Sequence, residues 1–173
     1  MADTWRATAQ NVAYASAKSM LDVFNAAGTA KILRIYRAYH FNNSLTSVTG
    51  VLTTLRVTRT TAASGGSSVT PVAHDTANAA LDANTTGGTG RTVTASDVFR
   101  QYIYSNDEPT VSGSSMDEWE LFVPFAEVWN AGYADANVQP IVCRAGQGFQ
   151  LLHQGSSTVG AADFEIEFTS AAS

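Results

Sequence analysis

Charge is what this chain has least of. Asp, Glu, Lys and Arg make up 14% of its 173 residues, against roughly 25% in an ordinary soluble domain. Apolar content is an ordinary 45%, so the missing charge is replaced by Ser, Thr, Asn, Gln and Ala. Hydroxyls and methyls give up less hydration than ammonium or carboxylate groups do, and such a surface suits burial against other subunits. The formal net charge is −5 with ten basic residues dispersed along the chain; phosphate contacts need clustered Lys and Arg, which argues against a nucleic-acid partner. Arg34, Arg37, Arg56 and Arg59 come nearest to a cluster and read as solvated or ion-paired strand residues.

Cysteine is nearly absent. The single Cys143 excludes an intrachain disulfide and cannot build a zinc site without several histidines beside it; it reads as a small core residue. No segment approaches the roughly 20 apolar residues of a membrane span, and Met1-Ala-Asp-Thr-Trp5 opens without a basic region leading into an apolar run. A soluble, conventionally non-exported protein without a membrane partner is expected.

What is present is β pattern. The length suits one domain. Residues 1–17, small and polar with Trp5 and Tyr14 as their large side chains, carry no helical stripe and read as an extended N-terminal arm docked through those aromatics, with a short strand around Asn11–Ser16. Residues 18–173 read as one β-sandwich domain. Ser19–Phe24 is a short strand. Lys31–Phe41 and Val48–Thr61 read as an antiparallel pair at the centre of a sheet, joined by a short Asn-rich turn. Residues 62–96, rich in Ser, Thr and Gly, read as a long polar loop with a helical turn at Ala77–Asp82.

Val98–Tyr104 and Trp119–Phe125 are further strands, and Trp129–Asn137 is a loop displaying Trp129 and Tyr133. Pro140–Arg144 and Phe149–Gln154 read as a hairpin about a Gly turn, and Asp163–Thr169 closes the chain with Phe164, Ile166 and Phe168 inward. About eight strands without a long helix predict an all-β, two-sheet antiparallel sandwich, jelly-roll-like, with an immunoglobulin-like order as the alternative.

Chemistry is sparse. His40, His74 and His153 show no paired spacing, so a metal site would have to be assembled wholly by the fold. Glu118 with Glu120, and Glu165 with Glu167, share strand faces and read as solvated, because an acid/base pair needs a cleft. The glycine runs at 65–66 and 87–90 lack the Gly-Lys-Ser/Thr of a phosphate loop. The expectation is a protein that is not an enzyme and carries no metal or cofactor. Trp5, Tyr14, Trp129 and Tyr133 are the candidate interface residues, aromatics being enriched at interface hot spots.

The order of segments resembles a family of small tailed-phage virion proteins. The resemblance rests on Met20-Leu-Asp-Val-Phe24-Asn-Ala-Ala-Gly28, Lys31-Ile-Leu-Arg-Ile-Tyr36, Leu55-Arg-Val-Thr-Arg-Thr-Thr-Ala62 with its Gly/Ser loop and Val69-Thr-Pro71, Gln139-Pro-Ile-Val-Cys-Arg-Ala-Gly-Gln-Gly148-Phe, and a final alternating acidic strand. Two segments, Asn106–Glu120 and Trp129–Asn137, depart from that order. The resemblance implies a capsid decoration or cement protein on the virion exterior, made in the host cytoplasm. Its partners would be the major capsid protein and copies of itself, as a trimer or alternatively a dimer. The other reading is a tail or spike component that binds a host glycan, through Trp129, Tyr133 and the acidic segment, or another tail protein.

Overall fold

The computed structural model describes residues 3–42, 52–105, 125–131, 138–156 and 158–172. They form twelve strands and no helix: β1 (Asp3–Ala13), β2 (Ser19–Asn25), β3 (Lys31–Asn42), β4 (Leu52–Ser64), β5 (Ser67–Val69), β6 (Val72–Ala73), β7 (Thr85–Thr89), β8 (Thr92–Ser105), β9 (Phe125–Asn130), β10 (Ile141–Cys143), β11 (Gln147–His153) and β12 (Ala161–Ala172).

Two antiparallel sheets face each other. Sheet A runs β10-β3-β12-β1-β6, with β9 also on β3, and sheet B runs β5-β7-β2-β11-β4-β8. β9 pairs Arg37–Phe41 and β10 pairs Leu33–Ile35 of β3, so the two act as one interrupted strand. The principal strands then read β1, β12, β3, β9/β10 in one sheet and β2, β11, β4, β8 in the other. Apart from β4 and β8, which pair within sheet B, successive principal strands change sheet, and the last strand returns beside the first, which is the double Greek key of a jelly roll. The expected sandwich and its approximate strand number are present in this frame, and β5, β6 and β7 are additions at one side.

The inner faces follow period-2 alternation. Phe164, Ile166 and Phe168 of β12, Leu55 and Val57 of β4, Phe149 and Leu151 of β11, and Leu33 and Ile35 of β3 are fully buried in one continuous core. In β3 the alternation breaks because a bulge places both Tyr36 and Arg37 outward, between Glu167 and Phe168 of β12. Ala38 and His40 continue the buried face after it. The strand's mixed pattern is thus one face with a one-residue slip.

The N-terminal segment is not separate from the sheets. β1 lies between β12 and β6, and Trp5, Ala7 and Ala9 point inward. They pair directly with Phe168, Ile166 and Phe164, so small alanines sit beside bulky neighbours on one face. Alanine favours helix and is too small to mark a buried face, which is why this alternation is faint in the sequence. The strand runs Asp3–Ala13 and not Asn11–Ser16.

Three other expectations need correction. β3 and β4 do not pair: they lie in opposite sheets, because both carry an apolar face that meets the other across the core. Nine residues separate β3 from β4, enough chain to cross the roughly 10 Å between packed sheets. β10 and β11 likewise form no hairpin; the chain arches from sheet A to sheet B at Arg144–Gly146. Gly146 takes φ +76° there, and Asn25 holds the arch by accepting from Gly146 N at 2.7 Å and donating to Cys143 O at 3.4 Å.

The third concerns residues 62–96, about half of which are strand. β4 and β8 form one long antiparallel ribbon, and the chain between them supplies β5 on sheet B and β6 on sheet A, with buried Pro71 between the two. Ala77–Asp82 contains no helix. The strand expected at Trp119–Phe125 lies outside the described residues except for Phe125, which begins β9.

Candidate functional site

Three side-chain groupings emerge from this frame. The first lies along the side of the sandwich edged by β8 and β9. Phe99 and Trp129 stack at 5.8 Å between centroids, the Arg59 guanidinium lies 5.3 Å from the Phe99 centroid and Arg100 lies 5.6 Å from that of Trp129. Trp129 Nε1 donates to Ile35 O at 3.4 Å, and Tyr102 Oη donates to Val128 O at 2.8 Å. Arg59 also pairs with Asp97. Trp129, expected on a loop, is the penultimate residue of β9 and is half-buried. Cation–π contacts of this kind contribute about 0.5–1 kcal/mol each where exposed.

The second grouping is buried. Tyr14 Oη stands 3.1 Å from His40 Nε2, and the Tyr14 ring lies 5.2 Å from that of His153. His40 packs on Phe164; burial lowers its pKa to about 4, with the Asp163 charge opposing. Tyr14 follows the end of β1, His40 lies on β3 and His153 ends β11, a meeting that sequence spacing does not disclose. Cys143 is elsewhere: it pairs with Leu33, seven residues along β3 from His40, or roughly 23 Å at the strand rise. Burial pushes its thiol up to about 12, so it stays a protonated core side chain.

The third comprises two ionic rows on the outer faces. On sheet A, Arg6, Glu167 and Arg37 are direct cross-strand partners on β1, β12 and β3. Arg6 Nη2 donates to Glu167 Oε1 at 2.7 Å, Arg6 Nε is 3.2 Å from Glu165, and Arg37 and His74 each lie 3.8 Å from Glu167. The Glu165 and Glu167 pair is therefore tied to cations. Partial burial still raises the Glu165 pKa, with Arg6 opposing.

On sheet B, Asp22 is fully buried and its Oδ1 accepts from Arg91 Nη1 at 3.1 Å. Arg91 also donates to Thr86 Oγ1 at 3.2 Å and Gly87 O at 2.7 Å. A Cβ at Gly88 would collide with the Arg91 side chain, so glycine makes room for the guanidinium. Burial raises the Asp22 pKa to about 6, against the lowering influence of Arg91 and Ser19. Nothing in the spacing of Asp22 and Arg91 announced this pair.

Of the four expected interface aromatics, Trp5 is 8% exposed and Tyr14 2%; both face the chain's own core and offer little surface to a partner. Trp129 belongs to the lateral stack. Tyr133 and the carboxylates Glu118 and Glu120 lie outside the described residues. Among the described residues no group of three or more His, Cys, Asp or Glu is placed to hold a metal ion. The exposed large apolar side chains include Val98 at 53% and Ile103 at 63% on β8. No family model matches the chain, and no curated protein or solved structure matches it.

Proposed function

We propose that this chain is a non-enzymatic virion structural protein that decorates and cements a capsid shell. The observation that carries the reading is the jelly-roll strand order, an architecture that viral capsid domains use repeatedly. The low charge content and the order of segments resembling small tailed-phage proteins support it further. In this reading the partners are the major capsid protein and further copies of the chain, as a trimer. Val98 and Ile103 on the outer side of edge strand β8 supply apolar contact area. Repeated small contacts reinforce a shell because simultaneous engagement multiplies weak affinities.

The test is a comparison of particles with and without the protein. Cementing predicts that particles lacking it rupture at lower temperature or milder osmotic shock; equal resistance would remove the proposal. A particle map adds the position, on the lattice in this reading and on the tail in the alternative. Lectin domains also use jelly rolls, and the exposed Arg100 above Trp129 favours a glycan-binding tail component as the second reading. Glycan-array binding lost on Trp129→Ala, with the fold retained, would select it.

A further inference from the structure

The outer face of sheet B contains a closed polar strip. Asp22, Gln150 and Thr58 are direct cross-strand partners on β2, β11 and β4, and each is fully buried. Direct partners hold their Cβ atoms about 4.5–5.5 Å apart, so the three side chains are contiguous. Asp22 Oδ2, Gln150 Oε1, Gln150 Nε2 and Thr58 Oγ1 all lack a hydrogen-bond partner. Ser19 Oγ, near enough to Asp22 to favour its ionised form, also lacks one in good geometry. Buried polar atoms are paired as a rule, and a run of exceptions along one strip points to a bound group.

We propose that this strip is a closed hydration site, in which ordered water joins Asp22 to Gln150 and Gln150 to Thr58. Three properties define the occupant. It is neutral, because the Asp22 charge is already met by Arg91 at 3.1 Å. It both donates and accepts, because the strip offers an amide N–H, two hydroxyls, an amide oxygen and a carboxylate oxygen. It is small, because the strip is shut off from solvent. Water meets all three. One molecule accepts from Gln150 Nε2 and donates to Asp22 Oδ2; a second donates to Gln150 Oε1 and bonds Thr58 Oγ1. Buried waters make about three bonds each, so about two satisfy the strip. The inference does not depend on the virion reading.

A high-resolution crystal structure of the full chain tests it directly. Ordered solvent within about 3.2 Å of both Asp22 Oδ2 and the Gln150 amide is the expected result. A dry strip, with Gln150 bonded straight to Asp22 or Thr58, overturns the proposal. So does an ion with oxygen distances of about 2.3–2.6 Å, which would mark a cation. The thermal midpoints of Gln150→Leu and Thr58→Val give an independent reading. In a hydrated strip each substitution strands a partner and lowers the midpoint; in a dry strip it removes an orphan atom and raises it. A rise in either variant would falsify the hydration site.

Discussion

The two outer faces of this sandwich solve the same problem differently. On sheet A the central strand β12 presents Glu167 between Arg6 and Arg37; on sheet B the central strand β11 presents Gln150 between Asp22 and Thr58. The rows occupy corresponding places in the two halves of the jelly roll. Arg6 and Arg37 stay half in water, with side chains 44% and 53% exposed, whereas Arg91 and Asp22 are 10% and 0% exposed. Ion pairs in water gain little because solvent already screens them. A pair taken out of water depends on its partner, since either charge left alone would keep the full desolvation cost. Exposure, more than composition, sets what each row is worth.

The largest effect that would break this contrast is at Arg91. Arg91→Met should destabilise the full chain by about 3–5 kcal/mol, the range for breaking a buried pair, read by urea unfolding at neutral pH. Adding Asp22→Asn should recover much of the loss, because the stranded charge is gone. If Arg91→Met cost no more than an exposed pair, burial would not be what separates the two faces.

Ile35→Ala sets the scale of the core between the sheets. Ile35 is fully buried, and the cavity should cost about 2–4 kcal/mol in the same measurement. A value under 1 kcal/mol, well short of that range, would mean that the β3 region repacks and that the sheet-to-sheet contact is softer than the rows it supports.

Acid sharpens the comparison further. Asp22 holds its proton more tightly in the fold, at about 6 against 3.8, so it contributes stability below about pH 4 that is lost as pH rises through 6. His40 titrates near 4 against 6.5, so its contribution is present above about pH 6.5 and lost as pH falls through 4. Each amounts to about 3 kcal/mol at most, and between pH 4 and 6 the two largely cancel. Asp22→Asn should uncover the histidine, giving stability that falls on acidification over that window. His40→Phe should leave the opposite slope. Parallel pH profiles for the two variants would contradict both assignments.

The smallest effect belongs to sheet A. Arg6→Ala should cost less than about 1 kcal/mol, and high salt should shrink it further. A loss as large as that of Arg91→Met would erase the distinction between the faces.

Much of the fold was legible where side-chain size and period agree. Phe164, Ile166 and Phe168 alternate with acidic residues, and Leu55 and Val57 with Thr54 and Arg56, so those strands and their inward faces could be read directly. β1 was obscured because Ala7 and Ala9 face in, and the strands at 67–69, 72–73 and 85–89 because Ser, Thr and Gly also build turns. Of the expected aromatics, Trp5 and Tyr14 serve the core. Of the candidate sites, Glu165 and Glu167 were visible as a pair on one face. Their partners, Arg6, Arg37 and His74, come from segments far away in sequence, as do the partners in Tyr14–His40 and Asp22–Arg91.

By itself, then, the sequence determined the class of structure: alternation at period 2 marks strands with one buried face, the absence of a helical stripe excludes a helical layer, and the lone Cys143 excludes a disulfide frame. Only the tertiary structure decided which strands are neighbours. Alternation says that a strand has an inside, and it is equally satisfied by a partner beside it or across the core. That choice rests on how the described strands share one interior, and it separates β3 from β4, parts β10 from β11, and seats Asp22 against Arg91 and Tyr14 against His40.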